Sequence, residues 1–111
     1  MFDISERKYV AVSIKHSKRG LENYPSEPKN GRHTLWGYKT ADEDKRCFSG
    51  YSGDVNKCEI YSLSDFQNTY GNGCIKCDEP VPMNVHLCRK YKDLDTVLVD
   101  VEEYKKYISL L

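Results

Sequence analysis

Apolar and polar positions alternate in residues 8–16 (KYVAVSIKH), with Val10, Val12 and Ile14 on one face and Tyr9, Ser13 and Lys15 on the other. A period of two is that of a half-buried strand, so a first strand is predicted there. Residues 17–31 carry two prolines, two glycines and two asparagines. That composition denies any regular element and predicts a long surface loop, and long loops in compact domains tend to be functional or mobile.

Two aromatic-rich runs follow, 33–40 (HTLWGYKT) and 46–51 (RCFSGY), joined by the acidic turn 41–45. They predict an antiparallel hairpin with a five-residue loop. Gly37 and Gly50 fall inside its strands, where glycine permits a bulge or the close approach of another group. Residues 58–63 predict a further strand. Ser64 and Gln67 match a capping box that opens a short helix, with Gly71 as its stop.

Residues 75–78 predict a brief strand ended by Pro80 and Pro82. A helix is predicted over 82–91, with Pro82 at its first position and Met83, Leu87 and Tyr91 on one stripe. Residues 96–100 (TVLVD) form the most apolar run, predicted as a central strand. Asp100, three positions before Glu103, is the expected cap of a last helix that buries Tyr104, Tyr107, Ile108 and Leu111. The fold class is therefore α+β: a single domain over 1–111 with a mixed, mainly antiparallel sheet of about five or six strands and two or three short helices on one side.

Length supports this economy, because 111 residues suffice for one modest core. The 17 basic and 17 acidic side chains balance, which argues against a dedicated binder of nucleic acid or anionic membrane, where affinity comes from neutralising phosphates. The balance hides an asymmetry: residues 1–46 hold ten basic and seven acidic groups (+3) and residues 47–111 hold seven and ten (−3). Much of the basic excess lies between Lys15 and Lys39. Five cysteines and an opening, MFDISERK, that lacks the apolar core of a leader set the expectation of a cytoplasmic protein. No window approaches the roughly 18 apolar residues of a spanning helix.

Among candidate chemistries, Cys74 and Cys77 form a C-x-x-C, one arm of a zinc site. His86 and Cys88 are the nearest second arm, but at i and i+2 on a helix they point roughly 200° apart, and Cys47 or Cys58 would have to come from the sheet. The expectation is a fold without metal. A redox role for the same pair is disfavoured by Asp78 and Glu79, which raise a thiol's pKa. The sequence contains no nucleophile elbow, no P-loop and no dinucleotide fingerprint, and His16, His33 and His86 stand without a partnered nucleophile, so no catalytic residue is assigned.

The hairpin is the better functional candidate. Trp36, Tyr38, Phe48 and Tyr51 are interleaved with Lys39, Lys45 and Arg46 and with glycines. Aromatic faces stack on a partner, cations hold phosphate or carboxylate, and glycines expose backbone amides. The same aromatics also suit the core of a small domain, and sequence leaves both readings open. The expected binding residues are Trp36, Tyr38, Lys39, Arg46, Phe48 and Tyr51, in a non-enzymatic binding protein without cofactor that occupies a protein partner's surface or sequesters a small nucleotide-like ligand. Inhibitors of host defence carried by phages share this profile. The alternative is a zinc-stabilised accessory module that docks on nucleic acid or a larger assembly through the basic loop 15–39.

Overall fold

The structure, a computed structural model, describes residues 6–17, 31–42, 45, 47–65 and 80–111, without the side chains of Lys15, His16 and Phe48. Residues 18–30 of the loop predicted over 17–31, the predicted strand 75–78, Arg46, Cys74 and Cys77 lie outside the described residues.

The sheet contains β1 (Tyr9–Ser13), β2 (Leu35–Tyr38), β3 (Cys47–Ser52) and β4 (Thr96–Asp100) in the order β3-β2-β1-β4. Every pair of neighbours is antiparallel. Among the described residues the expected mixed sheet of five or six strands is thus a four-stranded antiparallel one. Among the described residues three helices accompany it, α1 (Ile14–Ser17), α2 (Leu87–Lys90) and α3 (Val101–Ser109), besides a helical stretch at 63–65.

β1 is shorter than its alternating pattern predicted. Its ladder with β4 pairs Tyr9 with Asp100 through to Ser13 with Thr96, and beyond Ser13 no strand residue remains opposite. The chain turns into α1, whose first residue donates from its amide to the Asp95 carbonyl at 2.9 Å, while the Ser17 hydroxyl accepts from the Thr34 amide at 2.9 Å.

The predicted strand at 58–63 is replaced by a wedge. β1 and β2 pair at Val12 and Leu35, and continuing that register would bring Tyr9 opposite Tyr38. Instead Tyr9 bridges to Tyr61 and Tyr38 to Cys58. The Tyr61 amide donates to Tyr9 at 2.7 Å, the Tyr9 amide returns a bond at 3.0 Å, and the Lys39 amide donates to the Lys57 carbonyl at 2.9 Å. The two central strands part, and residues 58–61 satisfy the backbone groups this would orphan.

Every residue of β1 is buried, so its predicted polar face is buried as well. Val10, Val12, Leu35, Val97 and Val99 pack with Leu87 and Cys88 of α2 and Tyr104 of α3. Tyr9, Ala11 and Leu98 pack on the other side with Tyr61 and Leu63, and Trp36 closes against them. The helices are therefore not all on one side, because helical residues 63–65 place Leu63 in the second cluster. β4, expected at the centre, is the outermost strand of this sheet on its side, and the Val81 amide donates to its Leu98 carbonyl at 2.8 Å.

Three helix ends test the capping arguments. Asp100 Oδ1 accepts from the amides of Glu102 at 2.9 Å and Glu103 at 3.2 Å, the expected N-cap of α3. The cap before residues 63–65 is Ser62 rather than Ser64: the Ser62 amide donates to Asp65 Oδ2 at 2.9 Å and the Asp65 amide to Ser62 Oγ at 3.0 Å. This is a reciprocal capping box two residues early, with aspartate in the third position. The helix predicted over 82–91 is confined to α2, because Asn84 Oδ1 captures the His86 amide at 2.7 Å and its carbonyl accepts from Leu87 at 3.0 Å. A local Asx turn takes the donors that a longer helix would use.

Tyrosines of α3 tie residues 31–34 to the core. Tyr104 Oη accepts from the His33 amide at 3.0 Å, and Tyr107 Oη donates to the Gly31 carbonyl at 2.8 Å. Burial pushes the Tyr104 phenol above its ordinary range. Leu111, expected on the buried face, is 62% exposed because α3 has ended before it.

Candidate functional site: the β2–β3 hairpin and the adjoining cleft

The hairpin's shape follows from two glycines. Leu35 pairs with Ser52 and Trp36 with Tyr51, but Tyr38 pairs with Cys47, so the register slips between Trp36 and Tyr38. Gly37 at φ 85° and Gly50 at φ 81° take up the slip in the left-handed region. The space above each glycine is used: a β-carbon on Gly37 would collide with the Tyr61 hydroxyl, and one on Gly50 would collide with the Tyr38 ring.

The aromatics divide accordingly. Trp36 is half-buried and stacked on Tyr61, with centroids 5.2 Å apart and planes 11° from parallel. Tyr38 and Tyr51 are 46% and 41% exposed, among the most exposed large apolar side chains described. The Tyr38 ring packs against Gly50, the chain neighbour of Tyr51. Lys39 is exposed beside Tyr38. In the connecting turn, the Thr40 hydroxyl sits between the Asp42 and Lys45 carbonyls, and the Lys45 amide donates to Asp42 at 3.0 Å. Of the six expected binding residues, Tyr38, Lys39 and Tyr51 are exposed and Trp36 faces the second core cluster. Arg46 and the Phe48 side chain lie outside the described residues.

Lys39 also borders a cleft of about 320 Å³ beside the wedge. Its floor is Val55, Cys58, Ile60 and Val101, and its rim carries Arg7, Lys39 and Lys105. Glu59 is 7% exposed, with Oε1 accepting from the Ile60 amide at 3.0 Å and Oε2 from the Cys47 amide at 3.4 Å. Backbone donors thus hold the buried carboxylate. Sequence reasoning passed over this cleft, since Arg7, Glu59 and Lys105 read as ordinary surface positions of separate elements. Only the wedge brings them together.

Two of the three described cysteines are packing groups of the core. Cys58 and Cys88 are buried, and burial pushes the Cys58 thiol up to about 12. Cys47 is held below its ordinary value chiefly by hydrogen bonding with the Ser49 backbone and then with its hydroxyl. Among the described residues no three histidine, cysteine or acidic side chains cluster as metal ligands. His86 is exposed while Cys88 is buried, so these two do not converge. No helix among the described residues is long and apolar enough to cross a membrane.

Comparison with protein-family models, with curated proteins and with solved structures finds no match. Fold and site together define a small α+β domain with an antiparallel sheet, an aromatic hairpin and a cationic cleft.

Proposed function

We propose that this is a non-catalytic binding protein whose recognition face is the β2–β3 hairpin, with Tyr38, Tyr51 and Lys39 at its centre. One observation carries the reading: two tyrosines stand at the surface of a sheet whose other described apolar side chains are buried or half-buried. Tyr38 already rests against Gly50, a contact that lowers the rotamer freedom to be lost on binding. Tyrosine presents a large amphipathic surface at low entropic cost and is enriched where protein partners meet. The partner is a protein with a complementary acidic or hydrogen-bonding group for Lys39.

Affinity capture with the wild-type protein and with a Tyr38→Ala/Tyr51→Ala double variant as baits tests this. A protein held by the first and lost by the second, at equal melting temperature, is the expected result. Equal retention by both baits moves recognition to another face.

A further inference from the structure

We propose that the cleft beside the wedge is a second binding site, for a phosphate monoester carried on a compact apolar body. Three cationic residues from separate parts of the chain line it: Arg7 before β1, Lys39 after β2 and Lys105 on α3. Glu59 offsets one of them, so the described lining residues carry +2 from three positive groups and one negative. A phosphate monoester carries roughly −1.5 to −2 at neutral pH and offers three acceptor oxygens, which matches both the charge and the number of cations. A carboxylate or sulfonate would leave one positive charge uncompensated.

The floor selects the rest of the ligand. Val55, Cys58, Ile60 and Val101 form an aliphatic surface, with Thr40 and Asn56 as neutral polar groups at its margin. The described lining is aliphatic and polar, without an aromatic ring, and on such a floor a short alkyl body gains from leaving water. A volume of about 320 Å³ lies at the small end of ligand sites, which run from about 300 to 1,000 Å³. Glu59 does not collapse the cleft onto its cations, because its oxygens are engaged by the Ile60 and Cys47 amides. The site shares Lys39 with the hairpin face, but neither Tyr38 nor Tyr51 lines it, so a tyrosine variant separates the two.

Titration calorimetry with butyl phosphate, butanesulfonate and inorganic phosphate, paired with amide chemical shifts, tests the assignment. Butyl phosphate should bind more tightly than either of the others, because it alone combines the dianion with an alkyl body. Its shifts should fall on Thr40, Asn56 and Val101. Lys105→Gln and Lys39→Gln should each weaken it about tenfold, the loss of one charge-assisted contact, and both positions are exposed, so the melting temperature should hold. Tyr51→Ala should leave butyl phosphate affinity unchanged even where it abolishes capture of a protein partner. Equal affinity for butyl phosphate and butanesulfonate, or full affinity in both lysine variants, would overturn the proposal.

Discussion

The Tyr61 hydroxyl donates to the Trp36 carbonyl at 3.1 Å while the two rings lie face to face 5.2 Å apart. The pair clamps the wedge onto β2, and it is possible only because residue 37 has no β-carbon. Replacing Tyr61 by Phe keeps the stack and removes one donor, so it should cost about 1 kcal/mol. Gly37→Ala should cost about 2 kcal/mol or more, since alanine must accept a left-handed backbone and displace the hydroxyl. Denaturant unfolding of both single variants and the double variant should show that Gly37→Ala is milder in the Tyr61→Phe background. Strict additivity would mean that hydroxyl and glycine do not share one space.

Asp100 holds two amides at the start of α3. Asp100→Ala should destabilise the protein by about 1 kcal/mol, a drop in melting temperature of about 4–8 °C for a domain of this size. Asn at the same position should recover most of the loss, because its carbonyl oxygen caps as well. A helix ladder that melts no earlier in hydrogen exchange would remove the assignment.

Stability should fall at alkaline pH. The Cys58 thiol ionises at about 12 in the folded chain and at about 8.5 when unfolded. Above the lower value the unfolded state sheds a proton that the folded state keeps, so its contribution is intact below about pH 8.5 and declines as pH rises toward the folded value. Tyr104, raised by burial, adds a loss of the same sign from about pH 10 upward. Melting temperature measured from pH 7 to 11 should therefore decline, and Cys58→Ala, although less stable at pH 7, should show a shallower slope.

Tyr51→Ala and Trp36→Ala should separate surface from core. Tyr51 is 41% exposed, so its truncation should change stability by less than about 0.5 kcal/mol while weakening a hairpin-bound partner by about 1–3 kcal/mol. Trp36 packs on Tyr61 and the second cluster, and its truncation should cost about 3 kcal/mol of stability. Thermal melts of the two variants decide between the assignments.

The fold should not need zinc. Cys58 and Cys88 are occupied in the main core among Val10, Leu35, Val97 and Tyr104, and His86 points to solvent. Incubation with a chelator should leave the far-ultraviolet circular dichroism and the melting temperature unchanged. Unfolding on chelation would make Cys74 and Cys77 metal ligands and bring back the zinc-stabilised alternative.

Local signals in the sequence reached the features that local physics governs. Alternation and β-branched residues determined β1 and β4, an aspartate three before a glutamate determined the cap of α3, and two aromatic runs around an acidic turn determined the hairpin with its glycine irregularities. Tertiary structure decided what depends on partners distant in the chain. Residues 58–61 alternate as a strand would, but β1 and β2 each offer them one bridge, so they become a wedge rather than a fifth strand. Asn84 and Ser62 outcompeted the expected helix starts through short-range side-chain bonds that residue spacing had not singled out. Burial of both faces of β1 depended on Tyr61 and Leu63 arriving over it. The cleft was illegible for the same reason: Arg7, Lys39, Glu59 and Lys105 belong to four separate stretches of sequence, and an electrostatic site exists only where folding sets such charges side by side.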